Sequence, residues 1–276
     1  MADGFGLIHS DNNMKRLPLS SLRRALLPGI LALALVPCAR AANLGNIWLL
    51  GDSITYGAGH AGGYRDPLCR DLTARGCTFK FVGTLTSNST QLLSEAGQTH
   101  HDGHSGYTIA DATDISGKPR RGLYQSVDSW CRELARPNLI LLMIGTNDLN
   151  IDYRIDTAPH RLDLLVTRLF GHYPDARLLI ATLPDAEQNN RYRHGATENY
   201  AMAVRDYNAG IAAVVTKHRA MGQAVSLVPM HPALTLADLR DGLHPKAEGY
   251  AKMAKVWADA VLASAGLTAR RQTKER

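Results

Sequence analysis

The chain of 276 residues is poor in several features that would fix its class at once. Its four cysteines are too few for a disulfide-stapled scaffold of this length. Aromatic residues make up 6% of it, and no run of about 18 apolar residues appears, which excludes a bundle of membrane-spanning helices. HExxH, a P-loop and a GxSxG elbow are missing; position 55, two after Ser53, is Thr. What is present is ordinary, 45% apolar and 20% charged residues, well above the apolar content of disordered chains. At ~150 residues per domain the length admits one large domain or two small ones.

The net charge of +6 raises a nucleic-acid partner, and its placement argues against one. Residues 1–42 hold Lys15, Arg16, Arg23, Arg24 and Arg40 against Asp3 and Asp11, which is half of the excess. The tail 268–276 carries Arg270, Arg271, Lys274 and Arg276 against Glu275, and reads as a solvated end. The body between is close to neutral. Met14-Lys15-Arg16 opens a basic region, followed by the apolar Ala25–Pro37 and the small-residue pattern Ala39-Arg40-Ala41. That apolar stretch makes only ~20 Å of helix, too short to span a bilayer core of ~30 Å. Residues 1–42 are therefore expected to be a signal peptide with an upstream extension, and the protein secreted or periplasmic, without a stable membrane anchor. Pro37 makes Cys38 a poor lipobox cysteine. In an oxidising compartment Cys69, Cys77 and Cys131 can pair, though an odd count leaves one free; buried free thiols are the alternative. Asn88-Ser89-Thr90 matches a glycosylation acceptor, with meaning only in a eukaryotic secretory pathway.

From residue 43 on, short apolar runs alternate with amphipathic stretches. Strands are expected at 47–50, 78–82, 139–144, 177–182 and 224–228, and helices near 65–75, 121–135, 158–172, 197–219 and 246–265. The run LILLMI at 139–144 has no polar alternation, as in a parallel strand covered on both faces. This is the pattern of an open, doubly wound α/β sheet in a single domain over 43–267. In such sheets functional groups collect beyond the carboxyl ends of the strands. The first strand runs into Gly51-Asp52-Ser53-Ile54-Thr55 and the third into Gly145-Thr146-Asn147-Asp148.

Ser53 is thus a candidate nucleophile, and a serine needs a base to take its proton. Asp241-Gly242-Leu243-His244 supplies a histidine and its orienting carboxylate within one turn, Nδ1 toward the acid and Nε2 toward the serine. Attack on an ester also needs donors for the developing oxyanion; Asn147 offers a side-chain amide and Gly106 a backbone N–H with no side chain in the way. GDSIT, the glycine of GHSGYTI, GTND and DGLHP, in that order, resemble the four blocks of the SGNH (GDSL-type) hydrolases. GDSITYG, GGYR, FVGT, HDGHSGYTI, IGTND and DGLHPKAEGYAKMA look most like the carbohydrate-esterase branch with the acetylxylan esterases.

The resemblance implies a three-layer αβα sandwich around a five-stranded parallel, flavodoxin-like sheet. It implies Ser53, Asp241 and His244 as catalytic triad, with Ser53 N–H, Gly106 N–H and Asn147 as oxyanion hole. The expected protein is a monomeric serine esterase removing acetyl groups from carbohydrate, with no cofactor and no metal. A lipase, thioesterase or aryl-esterase on the same scaffold, or a carbohydrate O-acyltransferase, is the alternative.

Two other readings compete with parts of this. Gly57-Ala58-Gly59-His60-Ala61-Gly62 matches GxGxxG, but Gly57 lies six residues past Gly51 and no Asp or Glu falls between Ala74 and Gln91 to hold a ribose. His100, His101, Asp102 and His104 lack the spacing of a strong metal site and read as a rim loop. Asp52 and Asp148 are expected to bond loop N–H groups, and Tyr64, Arg65, Tyr107 and Tyr153 to line the cleft.

Overall fold

The structure, a computed structural model, describes residues 42–195 and 198–267. The signal reading, apart from Ala42, and the tail reading fall outside the described residues. Strand β1 (Asn43–Gly51) leads into the one-turn helix α1 (Ser53–Tyr56) and helix α2 (Arg65–Ala74). Strand β2 (Thr78–Val82), helix α3 (Gln91–Glu95) and the short strands β3 (Asp102–Gly103), β4 (Ala112–Thr113) and β5 (Pro119–Arg120) follow. Then come α4 (Leu123–Glu133), β6 (Leu139–Met143), α5 (Thr146–Asn150), α6 (Ala158–His172) and β7 (Arg177–Ala181). Helix α7 (Tyr200–Ala220), β8 (Val225–Val228) and α8 (Ala247–Ser264) complete the order.

The sheet runs β2-β1-β6-β7-β8 with every pair parallel, the flavodoxin-like order with helices on both faces. The difference from expectation is a sixth strand. β3 pairs with β1 at Leu50 and Gly51, continuing the edge that β2 occupies from Asn43 to Trp48. Two residues carry no periodicity, so the segment 84–120 looks strandless in sequence although it also folds the β4–β5 hairpin.

All five residues of β6 are buried, as the unbroken apolar run implies. The helices that cover the sheet are amphipathic. In α6, Leu162, Leu165, Val166, Leu169 and Phe170 form the buried stripe, and α8 repeats the pattern with Tyr250, Met253, Ala254, Trp257, Val261 and Leu262. Helix α2 packs on α8, and α6 packs on both α4 and α7, giving the two helical layers. Among the described residues no helix is long and apolar enough to cross a membrane.

Cys69, Cys77 and Cys131 are free thiols, the first two buried. The Asn88 amide is already in use, donating to the carbonyls of Tyr56 (2.7 Å) and Gly57 (3.0 Å) behind α1. A glycan on this nitrogen would replace one of its two N–H groups and so cost at least one of these bonds. Leu141 sits fully buried at the centre of β6. Leu141→Ala is expected to lower unfolding stability by about 2–5 kcal/mol in a urea titration; a loss below about 1 kcal/mol would contradict this account of the core.

Candidate active site

Strand β1 ends at Gly51, and Asp52 turns the chain by accepting the Ile54 N–H on Oδ1 at 2.9 Å, so that Ser53 opens α1. The Ser53 side chain is held there, nearly buried, with Oγ 2.9 Å from His244 Nε2. His244 comes from a loop closed by the Leu239–Pro245 bridge and by the Arg240 N–H on the His244 carbonyl (2.8 Å). Within it Asp241 Oδ1 accepts the N–H groups of His244 (2.8 Å) and Leu243 (3.3 Å), and Oδ2 lies 3.1 Å from His244 Nδ1. Burial alone would push the Asp241 carboxyl up, but the hydrogen bonds from His244 and Tyr192 hold it down at about 2. An ionised carboxylate only accepts, so Nδ1 carries the proton and the Nε2 lone pair faces the serine hydroxyl.

Gly106 and Asn147 share a cavity of about 370 Å³ with Ser53 and His244. The loop at Gly106 adopts a φ of +82°, which a side chain disfavours. Among the described residues neither the Ser53 N–H nor the Gly106 N–H finds an acceptor. The Asn147 amide gives one N–H to the Tyr107 carbonyl at 2.8 Å, which orients it and leaves the other free. The five residues singled out from sequence are thus brought to one place, at the carboxyl ends of β1 and β6.

Other expectations fare differently. Tyr64 is fully buried with its hydroxyl on Thr55 Oγ1, and Arg65 is spent on the carbonyls of Tyr56 and Asn88, so neither lines the cleft. Tyr107 packs on His104 and Tyr153 lies under Arg161. The cavity's tyrosine is Tyr192, which no motif announces. Its hydroxyl donates to Asp241 Oδ2 at 3.1 Å, and its ring stands edge-on to His244 at 4.9 Å. Arg120 and His194 also line the cavity and were equally silent in sequence.

The histidine-rich rim disperses. His101 is buried with Nε2 on the Ser87 carbonyl, and burial pushes its pKa down to about 4. His104 bonds Asp102 and stacks on Trp130 at 4.2 Å. Among the described residues no three His, Cys, Asp or Glu side chains are grouped to hold a metal ion. Gly57 of the GxGxxG match ends α1 in the left-handed region, within a tight loop beside Ser53.

A serine, a histidine and a carboxylate hydrogen-bonded in series at the edge of a parallel α/β sheet form an arrangement that carboxylic ester hydrolases use, and this chain is of that class. Residues 49–252 match the model of the GDSL-like Lipase/Acylhydrolase family, and the chain belongs to that family. A Multidomain esterase of Ruminococcus flavefaciens is 31% identical over 246 residues, which is 84% of this chain and 31% of that protein. The chain therefore spans less than a third of that relative. The Clostridium thermocellum family 3 carbohydrate esterase superposes with a TM-score of 0.63 at 25% identity, over 82% of this chain and 100% of the other. A family 3 carbohydrate esterase from Talaromyces cellulolyticus shares the fold, with a TM-score of 0.61 at 19% identity over 79% and 96% of the two chains.

One consequence concerns stability. Asp52 is fully buried and its Oδ2 has no hydrogen-bond partner among the described residues. Burial raises its carboxyl to about 7, and nearby Asp148 adds to the rise. The native state then holds a proton that the unfolded chain, with a carboxyl near 3.8, releases earlier. The contribution of Asp52 to stability falls as pH rises from ~4 through about 7, opposite in sign to that of His101, whose lowered pKa favours the folded state as pH rises from about 4. Asp52→Asn is expected to flatten that fall in thermal melts taken from pH 4 to 8; parallel profiles for variant and wild type would rule it out.

Proposed function

We propose that this protein hydrolyses small acyl esters on carbohydrate, acetyl esters first, through an acyl-enzyme on Ser53. The observation that carries the reading is the unbroken relay from Ser53 Oγ through the His244 ring to an ionised Asp241. His244 Nε2 takes the hydroxyl proton as Oγ attacks the ester carbonyl. The developing oxyanion is received by the Ser53 and Gly106 N–H groups and the free Asn147 N–H. As the intermediate collapses, the imidazolium returns the proton to the departing sugar hydroxyl. Water deprotonated by the same Nε2 then attacks the acyl-enzyme, releasing acetate and restoring Ser53.

Carbohydrate as the alcohol is supported by the similarity to a multidomain esterase and to a family 3 carbohydrate esterase. A small acyl group is supported by the cavity, whose apolar lining is Ala58, Ile151 and Leu243, too little to bury a long acyl chain. The export signal read over residues 1–42 suits an enzyme whose polymeric substrate lies outside the cell.

Acetate release from acetylated xylan and from 4-nitrophenyl acetate tests the reading. Ser53→Ala is expected to abolish turnover with an unchanged melting temperature. Asn147→Ala should lower kcat by about 10²–10³; an undiminished kcat would remove Asn147 from the oxyanion hole, and turnover surviving Ser53→Ala would end the serine mechanism.

A further inference from the structure

Ester hydrolysis at Ser53 does not require a cation on the cleft wall, yet one is built there. Arg120 lies on β5, paired with Ala112 of β4, and its side chain lines the cavity that Ser53 and Gly106 share. The hairpin turn is closed by a single carboxylate. Asp114 Oδ1 accepts the N–H groups of Ser116 and Lys118, each at 3.0 Å, and the Ser116 hydroxyl at 2.6 Å. Asp114 Oδ2 then takes Arg120 Nη2 at 3.2 Å. Hydrogen bonds from Ser116 above all hold the Asp114 carboxyl at about 2, so it stays charged and fixes one edge of the guanidinium.

Among the described residues the rest of the guanidinium has no partner. Arg120 Nε is buried without a partner, and among the described residues Nη1 has none either. Nη1 lies 3.7 Å from the point that a Cβ on Gly106 would occupy, beside the proposed oxyanion hole. That hole already has three donors, so the arginine is not needed to complete it. Elsewhere around the cleft charge is also left over. Arg240 and Arg191 both approach Asp241 Oδ2, at 3.3 and 3.9 Å, an oxygen that His244 and Tyr192 already hold. A guanidinium offers a planar fork that matches the two oxygens of a carboxylate, and desolvated donors left unpaired are costly.

We propose that Arg120 selects ester substrates that carry a carboxylate close to the scissile bond, with Asp114 as the residue that positions it. The inference rests on the ester-hydrolase reading above and names the substrate class within it. The carboxylate sits either on the sugar, as in an acetylated uronic acid, or on the acyl group.

Two matched pairs separate those sources. The first is O-acetylated methyl galacturonoside against O-acetylated methyl galactoside, and the second is 4-nitrophenyl hemisuccinate against 4-nitrophenyl butyrate. The full chain is expected to show higher kcat/KM for the acidic member of one pair, and that pair identifies which half carries the acid. Arg120→Gln should lower the acidic-to-neutral ratio about ten- to hundredfold, the range expected for a lost hydrogen bond to a charged group. Arg120→Lys, which keeps the charge without the fork, should fall between, and Asp114→Asn should lower the ratio as well. A neutral preference in both pairs, or a ratio that Arg120→Gln leaves unchanged, overturns the proposal.

Binding to the Ser53→Ala protein reads the same site without turnover. By calorimetry either galacturonate should bind more tightly than galactose or succinate should bind more tightly than butyramide, and Arg120→Gln should remove that preference. If neither preference appears, the carboxylate site is overturned. If acid binds selectively and the wild-type chain cleaves no ester, the hydrolase reading falls and the Arg120 site stands.

Discussion

Burying an acidic side chain is costly unless it is hydrogen-bonded or takes up a proton, and three such groups determine where this site lies. Asp52, Asp102 and Asp148 have no exposed surface. Asp52 caps α1, beginning with the adjacent Ser53. Asp148 follows Asn147 and takes the Ile109 N–H (2.9 Å) and Arg161 (2.9 Å), tying α5 to the chain just past Gly106. Asp102 accepts Trp48 Nε1 (2.6 Å), the N–H and hydroxyl of Thr84, and His104, whose ring stacks on Trp130. Moving any of these loops would leave a buried acidic group with fewer hydrogen-bond partners. Each therefore has one low-energy position, and the positions of Ser53, Gly106 and Asn147 follow.

The same residue type is tuned in opposite directions around one site. Asp52 is buried with one oxygen unpartnered, and its carboxyl rises to about 7. Asp241 collects donors from two backbone N–H groups, an imidazole and a phenol, and its carboxyl drops to about 2. Asp52 is the more deeply buried of the two and has the fewer donors, and both differences push its carboxyl up relative to that of Asp241. The contrast has a functional sense, since only an ionised Asp241 holds the His244 ring in the tautomer that leaves Nε2 free.

What sequence revealed, and what it concealed, divides along the same lines. The central strands were legible because burial on both faces writes them as apolar runs, LILLM in β6 and LLIA in β7, while β2 keeps an exposed Lys80 and β8 a half-buried Ser226. The loops bearing Ser53, Asn147 and the Asp241–His244 turn were legible because each is short and follows a strand or precedes a helix directly. Strand β3 was not, since two residues have no pattern and exist as a strand only beside Leu50 and Gly51. Tyr192 reaches Asp241 across 49 positions and Trp48 reaches Asp102 across 54, and no local spacing encodes such partnerships. The error over Tyr64 and Arg65 has the same root. Adjacency to the GDSIT block suggested the cleft, while packing against Thr55 and the carbonyls behind α1 buried both.

The two kinds of residue also sit on different structural supports. Ser53, Asn147 and His244 stand at the ends of strands or just before the last helix, where the sheet fixes the backbone. Arg120 and Tyr192 stand on a two-residue hairpin arm and an irregular loop, held by single carboxylates, Asp114 and Asp241. A scaffold of this kind separates the demands on it. Proton transfer needs distances held to fractions of an ångström and takes the rigid edge of the sheet. Substrate choice needs a charge or ring presented across the cavity, and a loop anchored at one point can supply either. The sheet and the buried acidic side chains, not these loops, then hold the atoms of the proposed reaction.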